Sequence, residues 1–120
     1  LSHVQLLAAW QHQNLEEIKT LIEPDIAVEF VYPDGHVIYG DYNNMIQVFE
    51  ERFSMVQDWN FEVIYKADRQ EDTLVIMKIT REDDDFNRLS APSLCLLTFH
   101  AVGNTHKLKR AHFELGITGS

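Results

Sequence analysis

Cysteine occurs once in the chain, at position 95. A lone thiol closes no internal disulfide, so the fold must rest on its apolar core. Cys95 itself, between Leu94 and Leu96-Leu97, reads as a buried core thiol in a reducing, cytoplasmic setting. No apolar run approaches the ~20 residues that a membrane-spanning helix needs, and no charged head followed by an apolar stretch opens the chain. Neither a membrane nor a secretory signal is therefore expected. Basic residues are the minority, 10 Lys and Arg against 19 Asp and Glu, for a net charge of −9. Phosphate binding works by counterion release from a cationic surface, which excludes nucleic acid as an expected partner and disfavours anionic lipid.

Catalytic and ligand signatures are missing as well. The six histidines (His3, His12, His36, His100, His106 and His112) form no HExxH motif and no Cys/His spacing, so no zinc or other metal is expected. There is no GxSxG, P-loop or GxGxxG, and no cofactor is expected. Glu82-Asp83-Asp84-Asp85 lacks the glycine and the spaced oxygens of a calcium loop and reads as a solvated hairpin loop. Nor is there an internal repeat, a linker or a low-complexity segment. A chain of 120 residues without such features is expected to form a single domain over residues 1–120.

What is present is a clear change of period along the chain. Ser2 with Gln5 has the form of a capping box ahead of Val4, Leu7 and Ala8 at helical spacing, with Leu6 and Trp10 beside them. Asn14 with Glu17 opens a second helix through Leu15, Ile18, Leu21 and Ile22, which Pro24 ends. From Ile26 to Tyr32 the period is two, and Pro33-Asp34-Gly35 is a turn into the short strand His36–Tyr39. Asp41 caps a third, longest helix whose stripe is Ile46, Phe49, Phe53 and Val56. Beyond Trp59 the pattern predicts four long strands, interrupted by the charged loop Arg81–Arg88 and by a turn at Gly103-Asn104. Helices followed by a run of strands that can pair as hairpins make an α+β fold with an antiparallel sheet.

Sorting the long strands by face separates two surfaces. Phe61, Val63, Tyr65, Val75, Met77, Ile79, Cys95, Leu97, Phe99, Ala111, Phe113 and Leu115 make an uncharged face that must pack on the helices. The opposite face mixes Glu62, Lys66, Lys78, Thr98, His100, Arg110, His112 and Glu114 with Ile64, Ile76, Leu96, Val102 and Leu108. Such a surface suits a half-buried interface, and a homodimer through it is expected. For the last hairpin the expected register sets Thr98 opposite His112, Leu96 opposite Glu114 and His100 opposite Arg110.

The order and spacing of Ala9-Trp10, Glu23-Pro24-Asp25, Pro33-Asp34-Gly35, Gly40 and the four-strand finish resemble the nuclear transport factor 2-like superfamily, especially its SnoaL-like members (polyketide cyclase and ketosteroid isomerase-like folds, of the cystatin-like kind). The resemblance implies a cone, with a strongly curved antiparallel sheet packed on three helices and a pocket between them. Pairing through the outer sheet face is implied too. It also supplies catalytic patterns to test. Tyr32 stands where ketosteroid isomerases carry their basic aspartate, and Cys95 or a neighbouring leucine where they carry a protonated acid, so that mechanism is not expected. Phe113-Glu114 is an inexact echo of the cyclases' Trp-Asp pair. His112-Phe113-Glu114-Leu115-Gly116 shares its first histidine with the kinase association domains' ending. The two alignments compete.

His100, His112 and Glu114 are the candidate acid–base groups, since a near-neutral histidine beside a carboxylate can accept and return a proton. Their placement on the mixed face favours the other reading, hydrogen-bonded dimer contacts. Trp10, Tyr32, Phe53 and Trp59, with Met77, Phe99 and Phe113 from the uncharged face, are candidate pocket walls, or else plain core. A cavity walled by them suits a small apolar or aromatic ligand. The leading expectation is a dimeric small-molecule-binding domain without assured catalysis. Its alternatives are a lyase, isomerase or cyclase-type enzyme using Glu114 or a histidine, and an assembly module with a filled pocket.

Overall fold

Three helices lie on one side of a six-stranded sheet in a computed structural model that describes residues 2–117. In chain order the elements are α1 (Val4–Gln11), α2 (Leu15–Thr20), β1 (Ile22–Val31), β2 (Val37–Gly40), α3 (Tyr42–Arg52), β3 (Asp58–Arg69), β4 (Asp72–Glu82), β5 (Ser93–Val102) and β6 (Thr105–Glu114). Among the described residues no helix is long and apolar enough to cross a membrane.

Local chemistry explains most of these limits. The Asn14 side chain accepts the Glu17 N–H at 3.2 Å and starts α2. At α3 the cap is reciprocal, with Asn44 N–H donating to Asp41 at 3.0 Å and Asp41 N–H donating to the Asn44 side chain at 2.9 Å. The expected box at Ser2 does not form. The N-cap of α1 is His3 without a side-chain bond, and the Ser2 hydroxyl, one residue too early, is buried with no partner. Nor does Pro24 end α2. That helix stops at Thr20, and the Leu21 carbonyl already accepts the Leu108 N–H at 2.8 Å, so Leu21 and Ile22 belong to the sheet side. Pro24 sits instead in β1, where the pairing with β6 breaks between Ile22 and Ala27, as a residue without an N–H requires. The α3 stripe buries Met45, Ile46 and Phe49 but ends before Val56, which is 79% exposed.

The strand order is β2-β1-β6-β5-β4-β3, an open sheet edged by β2 and β3. Four neighbouring pairs are antiparallel, and β1 with β6 is parallel, a departure from the wholly antiparallel sheet expected. The crossover through α3 sets the direction of β3, and three successive antiparallel pairings then return β6 alongside β1 in the same sense. Local patterning carries no signal for that closure.

Two bulges bend the sheet and re-aim side chains. Val63 faces Met77 but Tyr65 faces Ile76, so Ile64 is the extra residue in β3. Thr98 faces Arg110 but Phe99 faces Leu108, so Lys109 is the extra residue in β6. Each bulge inverts the faces beyond it. Tyr65, expected under the helices, joins the outer surface at 62% exposure, and Lys66 takes the inner side opposite Val75. Leu108, expected outside, is instead fully buried opposite Phe99. The last hairpin is also offset from the expected register, by two residues on one side of the β6 bulge, where Leu96 faces His112 and Leu94 faces Glu114, and by three on the other, where His100 faces Lys107. The turn at Gly103-Asn104 spans only two residues, because Val102 already pairs with Thr105, and the longer loop the other register needs does not exist. A shift of two preserves the faces.

Val75, Met77, Leu97, Phe99 and Leu108, with no exposed surface, form the floor of the core, and Leu6, Ile18 and Phe49 cover it from the helices. Burial pushes the Cys95 thiol up to about 12, so it stays protonated and inert.

Candidate functional site

The core does not close at the end of the sheet where β1, β4 and β6 finish. A cavity of about 350 Å³ remains there, between α3 and the inner sheet face. Its interior is aromatic and aliphatic: Trp10 from α1, Phe30 from β1, Met45, Val48 and Phe49 from α3, Trp59 from β3, Ile79 from β4 and Phe113 from β6. Tyr32, Pro33, Glu51, Arg52, Arg81, Ser90, Ser93, Leu115 and Gly116 complete the lining.

The walls are held rigidly. Trp10 stands edge-on to Phe49 at 4.8 Å and to Trp59 at 5.6 Å, while Phe30 and Phe113 stack at 5.3 Å. Trp59 Nε1 donates to Gln13 at 2.9 Å, which locks that ring. The Trp10 indole N–H is buried without an acceptor, a polar cost carried in the wall of the cavity. Gly116 has φ +58° and would carry a Cβ 3.2 Å from Pro33, so glycine suits this close passage by the β1 turn and a side chain there would be strained.

Four of the candidate wall residues, Trp10, Tyr32, Trp59 and Phe113, line the cavity. Phe53, Met77 and Phe99 do not. Phe53 stands behind the wall, 5.5 Å from Phe49 and 6.2 Å from Trp59. Met77 and Phe99 lie on the central strands where the helices cover the sheet fully, and they are core.

The residue that sequence reasoning missed is Arg81. The odd-numbered inner positions Val75, Met77 and Ile79 continue to Arg81, because β4 runs to Glu82. Extending the two-residue period one step past Ile79 would have found it. Arg81 Nη1 donates to Gln57 at 2.8 Å and Nη2 to Ser90 at 3.3 Å, and its guanidinium lies 5.6 Å from the Trp59 ring centre. Burial first, and the neighbouring Arg52 charge second, hold its pKa below the ordinary guanidinium value. A guanidinium still remains charged at neutral pH.

His100, His112 and Glu114 all lie on the outer face and take no part in the cavity lining. His112 Nδ1 is 2.9 Å from Glu29 and its Nε2 is 3.5 Å from Glu114. His100 Nδ1 is 2.9 Å from Asp72, which also accepts from Lys109 at 3.1 Å. Hydrogen bonds from His100 and then Lys109 depress the Asp72 pKa. For His112, burial opposes the charged ring, but Glu29 and then Glu114 outweigh it and raise the pKa above 6.5. The stabilisation from this cluster is therefore complete below about pH 6.5 and is lost as pH rises through the raised value. Relative to His112→Ala, the wild type should lose melting temperature as pH is raised from about 6.5 upward. A difference that stays constant across that range would show that the cluster carries no charge coupling. Among the described residues no group of three or more His, Cys, Asp and Glu side chains is placed to hold a metal ion.

No protein-family model matches this sequence, and no curated protein matches it. Solved structures do match over nearly the whole chain. A protein from Shewanella oneidensis, described as nuclear transport factor 2-like and of unknown function, aligns at TM-score 0.69 with 10% identity, over 92% of this chain and 94% of that one. This is the nuclear transport factor 2-like fold. A ketosteroid isomerase-like protein from Erwinia carotovora atroseptica aligns at TM-score 0.68 with 11% identity, covering 97% of this chain and 91% of that one. A Thiobacillus denitrificans protein, provisionally described as a calcium/calmodulin-dependent protein kinase type II association domain, aligns at 0.74 with 9% identity, covering 97% and 92%. At such identities the likeness establishes the nuclear transport factor 2-like fold and nothing about activity.

Proposed function

We propose that this chain is a dimeric, small-molecule-binding domain of the nuclear transport factor 2-like fold, with its ligand held in the aromatic cavity. One observation carries the reading. A cavity of about 350 Å³ stays open among Trp10, Phe30, Phe49, Trp59 and Phe113, although rings of this size ordinarily close a core. That volume lies within the range of small-ligand sites, roughly 300–1,000 Å³, and the apolar walls suit an aromatic or branched aliphatic body. An open cavity speaks against an assembly module with a filled pocket. The position of His100, His112 and Glu114 across the sheet speaks against their acting as acid or base on anything bound there, so binding without assured catalysis is the better-supported reading.

Dimerisation belongs to the same proposal. Leu74, Ile76, Leu94 and Leu96 lie half-buried on the outer face beside the His112 cluster, an arrangement that a second copy would cover. A reducing, cytoplasmic setting fits the free and buried Cys95.

The neutral apolar probe N-phenyl-1-naphthylamine tests the cavity. Its emission should rise on titration and saturate at one probe per chain. Emission that climbs linearly without saturation would overturn the binding reading.

A further inference from the structure

The cavity is not uniformly apolar, and its charges are unbalanced. Three ionised side chains line it: Glu51, Arg52 and Arg81. Among the described residues neither arginine has a carboxylate within salt-bridge distance, Glu51 included. In a chain carrying nine more acids than bases, two guanidiniums left without acids at one cavity are conspicuous. Arg81 is half-buried and pinned on both sides, by Gln57 at 2.8 Å and Ser90 at 3.3 Å, with Trp59 beneath it. Neither of those hydrogen-bond partners carries a charge. The two guanidiniums also repel each other, which adds to the cost of burying Arg81. An anion placed between them would relieve that repulsion and accept the fork of donors that Gln57 and Ser90 leave unused.

We propose that the ligand of this cavity is a small organic carboxylate, with its aromatic or branched aliphatic body against Trp10, Phe49 and Phe113 and its carboxylate on Arg81 and Arg52. This rests on the reading of the cavity as a ligand site and adds the chemical class. Apolar walls supply affinity without direction, whereas a guanidinium pair at one end fixes which way the molecule enters. The hydroxyls of Ser90 and Ser93, on the same lining, stand ready as neutral donors to the same group. A neutral molecule of the same shape would leave the guanidiniums unpaired and bind more weakly.

Matched probes separate the two levels of the proposal. A panel of aromatic and branched aliphatic acids, 2-naphthoate and phenylacetate among them, is titrated in parallel with the corresponding primary amides, followed by ligand-observed NMR. The acids should bind at least about tenfold more tightly than their amides, with the preference shrinking as salt is raised. Arg52→Gln, at an exposed side chain with no ion-pair partner among the described residues, should keep the fold and reduce the preference. Arg81→Gln should abolish it, and Arg81→Lys should restore it in part, which a purely structural role for Arg81 would not do. Equal binding of acids and amides would overturn the carboxylate assignment and leave the cavity reading standing. Binding of neither series would overturn both.

Discussion

Replacing Phe99 with alanine should destabilise the protein by about 3–5 kcal/mol, because truncating a large buried aromatic loses transfer energy and leaves a void. For a domain of this size that is a fall in melting temperature of roughly 10–25 °C. Phe99 has no exposed surface, pairs with Leu108 across the β6 bulge and takes no part in the cavity lining. Probe binding by the surviving folded fraction should therefore be unchanged. Tyr32→Ala is the complementary case. Tyr32 is half-buried at the cavity and stacks on the His36 ring at 4.5 Å, so its loss should cost about 1 kcal/mol or less while weakening probe binding several-fold. Thermal melts and probe titrations of the two variants should thus move in opposite proportion. Should Phe99→Ala melt within a few degrees of the wild type, the floor of the core is not packed as described.

If the chain pairs through its outer sheet face as proposed, Leu96→Glu should turn that dimer into a monomer. Leu96 sits opposite both Ile76 and His112, at the middle of the outer face, with Glu29 and Glu114 already converging on that histidine. A further carboxylate there would be buried by a partner copy among like charges, a cost of several kcal/mol and a loss of affinity on the order of a hundredfold or more. Sedimentation velocity at micromolar concentration should show the wild type as a dimer and the variant as a monomer. The cavity lies on the other side of the sheet, so probe affinity should persist. A variant that remains dimeric would mean that another surface pairs the chains, and a monomeric wild type would remove the dimer altogether.

Where the sequence could be read, the physics was local. Asn14 and Asp41 announce their helices because a cap depends only on the next three residues, and the Pro33-Asp34-Gly35 turn is equally self-contained. The alternation in β4 and β5 identified Val75, Met77, Cys95, Leu97 and Phe99 as inner residues, since one face of those central strands is covered by the helices and the other is only half-buried. Errors arise where one residue interrupts the period. Ile64 and Lys109 carry no mark that distinguishes a bulge from an ordinary strand position, yet they decide the faces of Tyr65 and Leu108. Parallel pairing of β1 with β6 joins the two ends of the chain, beyond the reach of any local pattern. Part of the cavity wall was legible for the same reason. Trp10, Trp59 and Phe113 are large residues on inner faces, but whether such a residue lines a void or fills one depends on how far α3 reaches, which separates them from Met77 and Phe99. Arg81 was hidden among the acidic residues that follow it, although its position continues the alternation of β4.

The central claim is that the space beneath α3 receives a small molecule. Methyl-resolved NMR during titration with N-phenyl-1-naphthylamine tests it most directly. Saturable shifts should appear at Met45, Val48, Ile79 and Leu115, which line the cavity, while Leu74, Ile76 and Leu96 on the outer face stay still. Shifts confined to the outer face, or no saturable shift anywhere, would contradict it.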